Sequence, residues 1–280
     1  MANVEIGTRV YTNLYGRGRG VVVAIHGEQA PETVKSLARG VIMSGGNASF
    51  DIVFSDGSES KKLPEAILRG VQWQILEDQG KADAAEIAAL LANAACVKAA
   101  NAAAAEAAAK KYAAEVEALK TAEAYKALTQ GDDANSGKLA AQNIRKELKA
   151  AFKGVVFSVK KTSYGSLRIS WTDGPTDKEV SAIVGKYESG SFDGMTDSYN
   201  SNVSPWNKVF GGAQYVFTSR NHSDTLTEKA IAAVFERHAL DLEGVQKPTA
   251  QTLHQCNAVV RFNAYGLATA IWQEAAEMAA

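Results

Sequence analysis

Between residues 81 and 130 the chain carries 23 alanines and neither glycine nor proline. Alanine has the highest helix propensity and nothing in the segment interrupts a helix, so a long helix or a helical hairpin is close to forced. Ile87, Leu90, Leu91, Ala94 and Val97 follow helical spacing, as do Tyr112, Val116 and Leu119. The two stripes are thin, because alanine fills most of the face between them. That suits close packing against another helix, within the chain or in a second copy, so self-association through these helices is one expectation. Gly131-Asp132-Asp133-Ala134-Asn135-Ser136-Gly137 ends the helix and reads as a linker. Cys96 falls inside the helix and is expected to be a buried small hydrophobe.

The segments on either side differ from the alanine segment and from each other. Residues 4–76 read as β-structure: Arg9-Val10-Tyr11, Gly20 to Ile25, Ser49 to Phe54 and Gln72 to Ile75 are short and rich in β-formers. Phe50, Ile52 and Phe54 alternate with Asp51 and Val53, as in a half-buried strand. Tight turns at Tyr15-Gly16-Arg17-Gly18-Arg19-Gly20 and Ser55-Asp56-Gly57-Ser58 suit a small curled barrel, with residues 27–46 projecting as a long loop. Residues 138–280 read as mixed α/β. Ile144, Leu148 and Phe152 stripe a short helix, and residues 155–160 and 167–172 form a hairpin pair. A helix bearing Val180, Ile183, Val184 and Tyr187 follows Pro175, and Gln214 to Thr218 is a further strand. Two helices, about residues 225–240 and 249–278, end the chain. The expected class is therefore α+β in three parts: a β-barrel domain over 1–78, an alanine-rich helical segment over 79–131, and a mixed domain over 132–280.

Composition narrows the function classes. Lys plus Arg is 30 and Asp plus Glu is 31, for a net charge of −1, which argues against a surface devoted entirely to nucleic acid. With 46% hydrophobic and 22% charged residues, wholesale disorder is excluded. No apolar run reaches the roughly 18 residues of a membrane span, and the N-terminus lacks the parts of a secretory signal. Two cysteines fit a reducing compartment. A cytoplasmic protein with no membrane partner is expected.

Chemistry-bearing patterns are sparse. His26, His222, His238 and His254 show no zinc spacing, and neither cysteine belongs to a C-x-x-C pair. His26 with Glu28 and Glu32 can ligate a metal in principle, but such a loop is usually solvated. Gly16, Gly18 and Gly20 partly match G-x-G-x-x-G, yet a strand follows where a helix is required. No P-loop, nucleophile elbow or catalytic nucleophile emerges, so neither a cofactor nor a catalytic residue is expected. Asp193 and Asp197 around Gly194 are either an acid–base or cation pair or, preferably, turn residues. An enzyme, a nuclease or peptidase, would rest on those two carboxylates alone.

Charge is nevertheless unevenly spread. Residues 138–168 hold eight basic side chains (Lys138, Arg145, Lys146, Lys149, Lys153, Lys160, Lys161, Arg168) against Glu147, and residues 173–197 hold six acidic ones against two lysines. The basic stretch, above all Arg145, Lys146, Lys149, Lys160 and Lys161, suits phosphates or an acidic protein surface, or is a solvated face. Arg17 and Arg19, with Tyr11 and Tyr15 nearby, make a smaller basic–aromatic feature. Trp171, Phe192, Tyr199, Trp206, Phe210, Tyr215 and Phe217 are expected mostly in the core. Trp206 and Phe210, in the loop-like stretch 204–212, are alternatively anchors for a partner.

Trp171-Thr172-Asp173-Gly174-Pro175-Thr176, then Gly190-Ser191-Phe192-Asp193-Gly194-Met195-Thr196-Asp197-Ser198-Tyr199, then Pro205-Trp206 and Phe210-Gly211-Gly212-Ala213-Gln214-Tyr215-Val216-Phe217, resembles a large polyvalent protein-associated domain. The resemblance spans residues 138–220. The N-terminal segment resembles the small SH3-like barrel that accompanies such domains. The family belongs to conjugative plasmids, integrative elements and phages, and implies a protein that shields an incoming element from host defence. On that basis the chain is expected to be a non-enzymatic anti-CRISPR or anti-restriction protein, binding Cas subunits and blocking or dismantling the effector complex. The alternative is a nucleic-acid-binding accessory protein of conjugation or replication.

Overall fold

The computed structural model describes residues 3–37, 42–195 and 197–279. The chain divides into two compact units, residues 1–110 and 111–280.

In the first unit, β1 (Arg9–Thr12), β2 (Gly18–His26), β5 (Ser49–Phe54), β6 (Glu59–Pro64) and β7 (Trp73–Ile75) form one antiparallel sheet in the order β6-β5-β2-β1-β7. Bulges at Val22/Ala24 and Phe50/Ile52 bend it. Phe50, Ile52 and Phe54 point into a core with Val10, Val22, Leu68 and Trp73, as their alternation implies. The expected closed, SH3-like barrel is not what forms: the sheet is open, with β6 and β7 at its edges. β6 is suited to an edge by Lys61, Lys62 and its terminal Pro64, and β7 has only three residues with which to pair.

Residues 27–46, expected as a projecting loop, include the short pair β3 (Lys35–Leu37) and β4 (Ile42–Ser44); residues 38–41 lie outside the described residues. The short helix α1 (Glu65–Leu68) holds this segment through one buried carboxylate. Glu65 accepts hydrogen bonds from the backbone N–H groups of Ala30 (3.0 Å), Asn47 (3.2 Å) and Ala48 (3.4 Å) and from Arg69 Nε (3.2 Å).

α2 (Ala84–Thr121) is a single 38-residue helix rather than a hairpin. Its N-terminal part belongs to the first unit, where Arg9 donates to both Glu86 oxygens at 2.6 and 2.7 Å and Asn93 donates to Ser55 O. From residue 98 to 115 every side chain is exposed. Cys96 is exposed as well, not buried, because the stripe that packs runs through Ala94 and Val97. An 18-residue window of α2 reaches a mean hydropathy of 1.4, so by length and composition it is apolar enough to cross a membrane. The window is not an uninterrupted apolar run, because Asn93, Lys98, Asn101 and Glu106 break the helix's apolar residues and alanine gives it its hydropathy.

The second unit is built on a three-stranded sheet, order β12-β9-β8. β8 (Ser158–Ser163) and β9 (Ser166–Thr172) form an antiparallel hairpin. From β9 the chain runs through α4 (Asp177–Val184), the hairpin β10 (Gly190–Asp193) and β11 (Ser198–Ser201), and α5 (Pro205–Phe210). It returns as β12 (Tyr215–Asn221), parallel to β9. α3 (Lys138–Ala151), α4 and α5 supply Ile144, Leu148, Val180, Val184, Val209 and Phe210 to a core that meets the sheet at Val159, Leu167, Ile169 and Trp171. The expected linker 131–137 is tied into this unit: Gly131 N donates to Val209 O, Gly137 N to Gly212 O, and Asp133 accepts from Ser136 and Leu139.

α6 (Asp224–Arg237) and α7 (Leu267–Glu277) end the chain around their own core of Ile231, Val234, Leu253, Leu267 and Ile271. The second terminal helix is much shorter than the expected 249–278. Residues 249–266 form turns whose Leu253 and Val260 enter that core, and Gly266 at φ +92° sets the helix start. Arg220 ties α7 down by donating to Ala275 O, Ala276 O and Met278 O, and to Asp173 O and Gly174 O.

Candidate functional site

The second unit's sheet has one face packed and one face open. Val159, Leu167, Ile169 and Trp171 are buried beneath the helices, so by strict alternation Lys160, Arg168, Ser170 and Thr172 point the other way. Register fixes what lies beside them. Lys160 pairs with Arg168, and Arg168 with Phe217; the next row reads Ser158, Ser170, Ser219, and Thr172 pairs with Asn221.

Two features of this face stand out physically. Lys160 and Arg168 are directly opposite across an antiparallel pair, an arrangement of like charges that costs stability. Both are exposed, and Arg168 lies over the Phe217 ring at 6.0 Å. Beside them Phe217 remains 48% exposed, its ring parallel to that of Tyr215 (6° between planes, centroids 6.0 Å apart), and Tyr199 packs on Tyr215 at 5.2 Å. Phe217 thus belongs to neither core cluster, against the expectation that it is core.

Beyond this row the same face opens into a groove of about 780 Å³. Ser158, Ser170, Thr172 and Asn221 line it, with Lys153, Val155 and Val156 on one wall and Asp173 and Gly174 at the end. Asp173 and Gly174 both lie in the left-handed region, at φ +55° and +61°. The Asp173 conformation is held by Ser223 N donating to its carboxylate at 2.7 Å. Burial pushes that carboxyl up, but the bonds from Ser223 and the nearby charge of Arg220 outweigh it, so it sits below the ordinary value and is ionised.

The basic stretch read from sequence separates into several fates. Arg145 donates to the carbonyls of Ala141 and Val159, and Lys146 to Ala127 O and Thr129 Oγ1 at 2.8 Å, so both fasten the fold. Lys149 is exposed on α3. Lys161 is exposed over the Tyr164 ring, on the face of β8 opposite Lys160.

Phe210 is fully buried, and Trp206 stands edge-on to Tyr125 and Tyr187 with Lys186 Nζ 4.1 Å above its ring. The stretch 204–212 is not a loop: Ser204 and Asn207 form a capping box that starts α5 and turns both rings inward. This packing closes off Phe210 and leaves Trp206 half-buried. Asp193 accepts from Met195 N within the β10–β11 turn, and Asp197 takes φ +49°; Thr196 between them lies outside the described residues.

In the first unit Arg17 lies over the Phe54 and Tyr15 rings at 5.3 and 5.6 Å, with Tyr15 itself 91% exposed at φ +55°. Arg19 is exposed at the mouth of a cavity of about 210 Å³ that it shares with the Arg9–Glu86 pair. His26 pairs with Asp51 at 3.3 Å rather than with Glu28 or Glu32. Among the described residues no group of three or more His, Cys, Asp and Glu side chains gathers to hold a metal.

Comparison with known families finds two segments of the chain that are similar to large polyvalent protein associated domains. Residues 1–123 match large polyvalent protein associated domain 30 and residues 135–223 match large polyvalent protein associated domain 29. The second match covers the motifs that carried the resemblance and the whole of the open sheet face; residues 224–280 lie outside both. No curated protein and no solved structure matches the chain.

Proposed function

We propose that the protein is a nucleic-acid-binding component of a mobile element, and that the open face of β8-β9-β12 binds a single strand. The observation that carries this reading is the cationic pair Lys160–Arg168 set in register beside the exposed ring of Phe217 and the half-buried Tyr215 ring stacked with it. Phosphates between the two cations relieve their repulsion, and unpaired bases stack on the rings. Sequence-tolerant single-strand binding combines these two elements, a basic track and an aromatic platform. The mobile-element setting draws support from the two polyvalent domain matches.

A protein that covers the strand of an entering element stands between that element and host defence, so the anti-defence expectation stays within this proposal. Direct capture of a Cas subunit is its alternative, and a pull-down that survives nuclease treatment would favour it. The direct test is fluorescence polarisation with labelled oligonucleotides of about 15 residues, single-stranded and duplex. Single strands are expected to bind more tightly, and Phe217→Ala to weaken them by about 1–3 kcal/mol, or roughly 5- to 150-fold. Phe217 is half-exposed, so its loss leaves the fold standing. A wild-type protein indifferent to single strands, or a Phe217→Ala variant that binds like wild type, would overturn the proposal.

A further inference from the structure

Resting on that proposal, we infer that the strand held on this face is RNA, and that the groove beside the aromatic row reads its 2′-hydroxyls. The inference stands on what lines the groove. Ser158, Ser170 and Thr172 present hydroxyls and Asn221 an amide, and none of the four makes a side-chain hydrogen bond among the described residues. All four are neutral, and all lie within the first two rows beyond the cations.

The charges around the groove decide which part of a strand enters it. Asp173, ionised at its end, repels a phosphate and accepts from a hydroxyl. The cations stand at its margins, Lys160 and Arg168 one row away and Lys153 on the wall. Successive rows on one face of a strand are about 6.6 Å apart, two residues at ~3.3 Å each. Phosphates on Lys160 and Arg168, with bases over Phe217 and Tyr215, therefore leave the sugar edge to run into the Ser158–Ser170 row. A deoxyribose brings no donor or acceptor at its 2′ carbon to those side chains, whereas a ribose brings both, and this is the atom by which proteins tell RNA from DNA.

The groove keeps its shape through Gly174. A Cβ there would lie 2.8 Å from Val155 Cγ2, so Val155 would have to move and the groove wall with it.

The experiment compares the full-length protein on two oligonucleotides of one sequence, a uridine RNA and its deoxyuridine counterpart, so that only the 2′-oxygen differs. One or two net hydrogen bonds predict RNA about tenfold tighter. The variant Ser170→Ala/Thr172→Val should bring RNA down to the DNA affinity while leaving DNA binding where it was, which also shows that the variant is folded. Equal wild-type affinity for both strands, or an RNA preference that survives the double substitution, overturns the inference and leaves single-strand binding intact. Binding of neither strand overturns the parent proposal instead.

Discussion

Replacing Lys160 and Arg168 together by alanine separates a phosphate-binding face from a merely exposed one. Each cation that neutralises a phosphate on a single strand contributes about 0.7 to the slope of log affinity against log salt. If both cations contact phosphate, the double variant loses about 1.4 from that slope. Between about 50 and 200 mM salt the wild type should then lose roughly sevenfold more affinity than the variant from these two contacts. The structure supplies internal controls. Arg145→Ala and Lys146→Ala remove cations already committed to Val159 O and Ala127 O, and should leave the slope alone. Lys161→Ala removes a cation from the opposite face of the same strand, and should leave it alone too. Because like charges directly opposite are destabilising, the Lys160→Ala/Arg168→Ala protein should be as stable as wild type or a few tenths of a kcal/mol more so. A slope unchanged by the double substitution, or lowered equally by Lys161→Ala, would refute the assignment of this face.

Glu65→Gln should cost about 3 kcal/mol in urea unfolding of the first unit, since it leaves Arg69 with a neutral partner and weakens three backbone bonds in a buried site. Burial pushes the Glu65 carboxyl up, but the Ala30, Ala48 and Asn47 amides and Arg69 outweigh it, and its pKa falls below the ordinary 4.5. Its contribution is therefore complete above 4.5 and lost as pH drops through the lower folded value, so Glu65→Gln should flatten the acid limb of stability. Arg220→Ala, which strips a charged donor from five carbonyls, should lower hydrogen-exchange protection across α7 by about 3 kcal/mol; unchanged protection would mean that the clamp is ornamental. Ala104→Gly with Ala108→Gly should lower local helix stability by about 1 kcal/mol each, the propensity cost alone, because both sites are exposed. A much larger loss would reveal a partner packed on α2, a second copy included.

How far the sequence reveals this molecule depends on whether a signal is local. The alanine segment could hardly be anything but helix, and Phe50, Ile52 and Phe54 declared their inward face by alternation alone. Closure of the first sheet was not local, because it depends on whether β6 and β7 meet, and no residue in either announces a partner. Nor was the start of the last helix, because Leu253 and Val260 before it serve a core that exists only once α6 and α7 come together.

The candidate site shows the same division more sharply. Lys160 and Lys161 look equivalent in a charged run, and Arg145 looks like a better phosphate ligand than either. Folding places the first two on opposite faces and turns the third onto its own backbone. In β9 the alternation Leu167, Arg168, Ile169, Ser170, Trp171 already sorts the faces by period 2. In β12 it does not, because Tyr215, Val216 and Phe217 are all apolar and either alternate set can serve the core. The parallel register with β9 decides it: Val216 falls beside buried Leu167 and Phe217 beside exposed Arg168. An apolar strand at the edge of a small sheet therefore hides its working residues until its neighbour is known. Once that neighbour is known to carry an arginine opposite a lysine, an exposed phenylalanine beside them is better explained by a ligand than by a core.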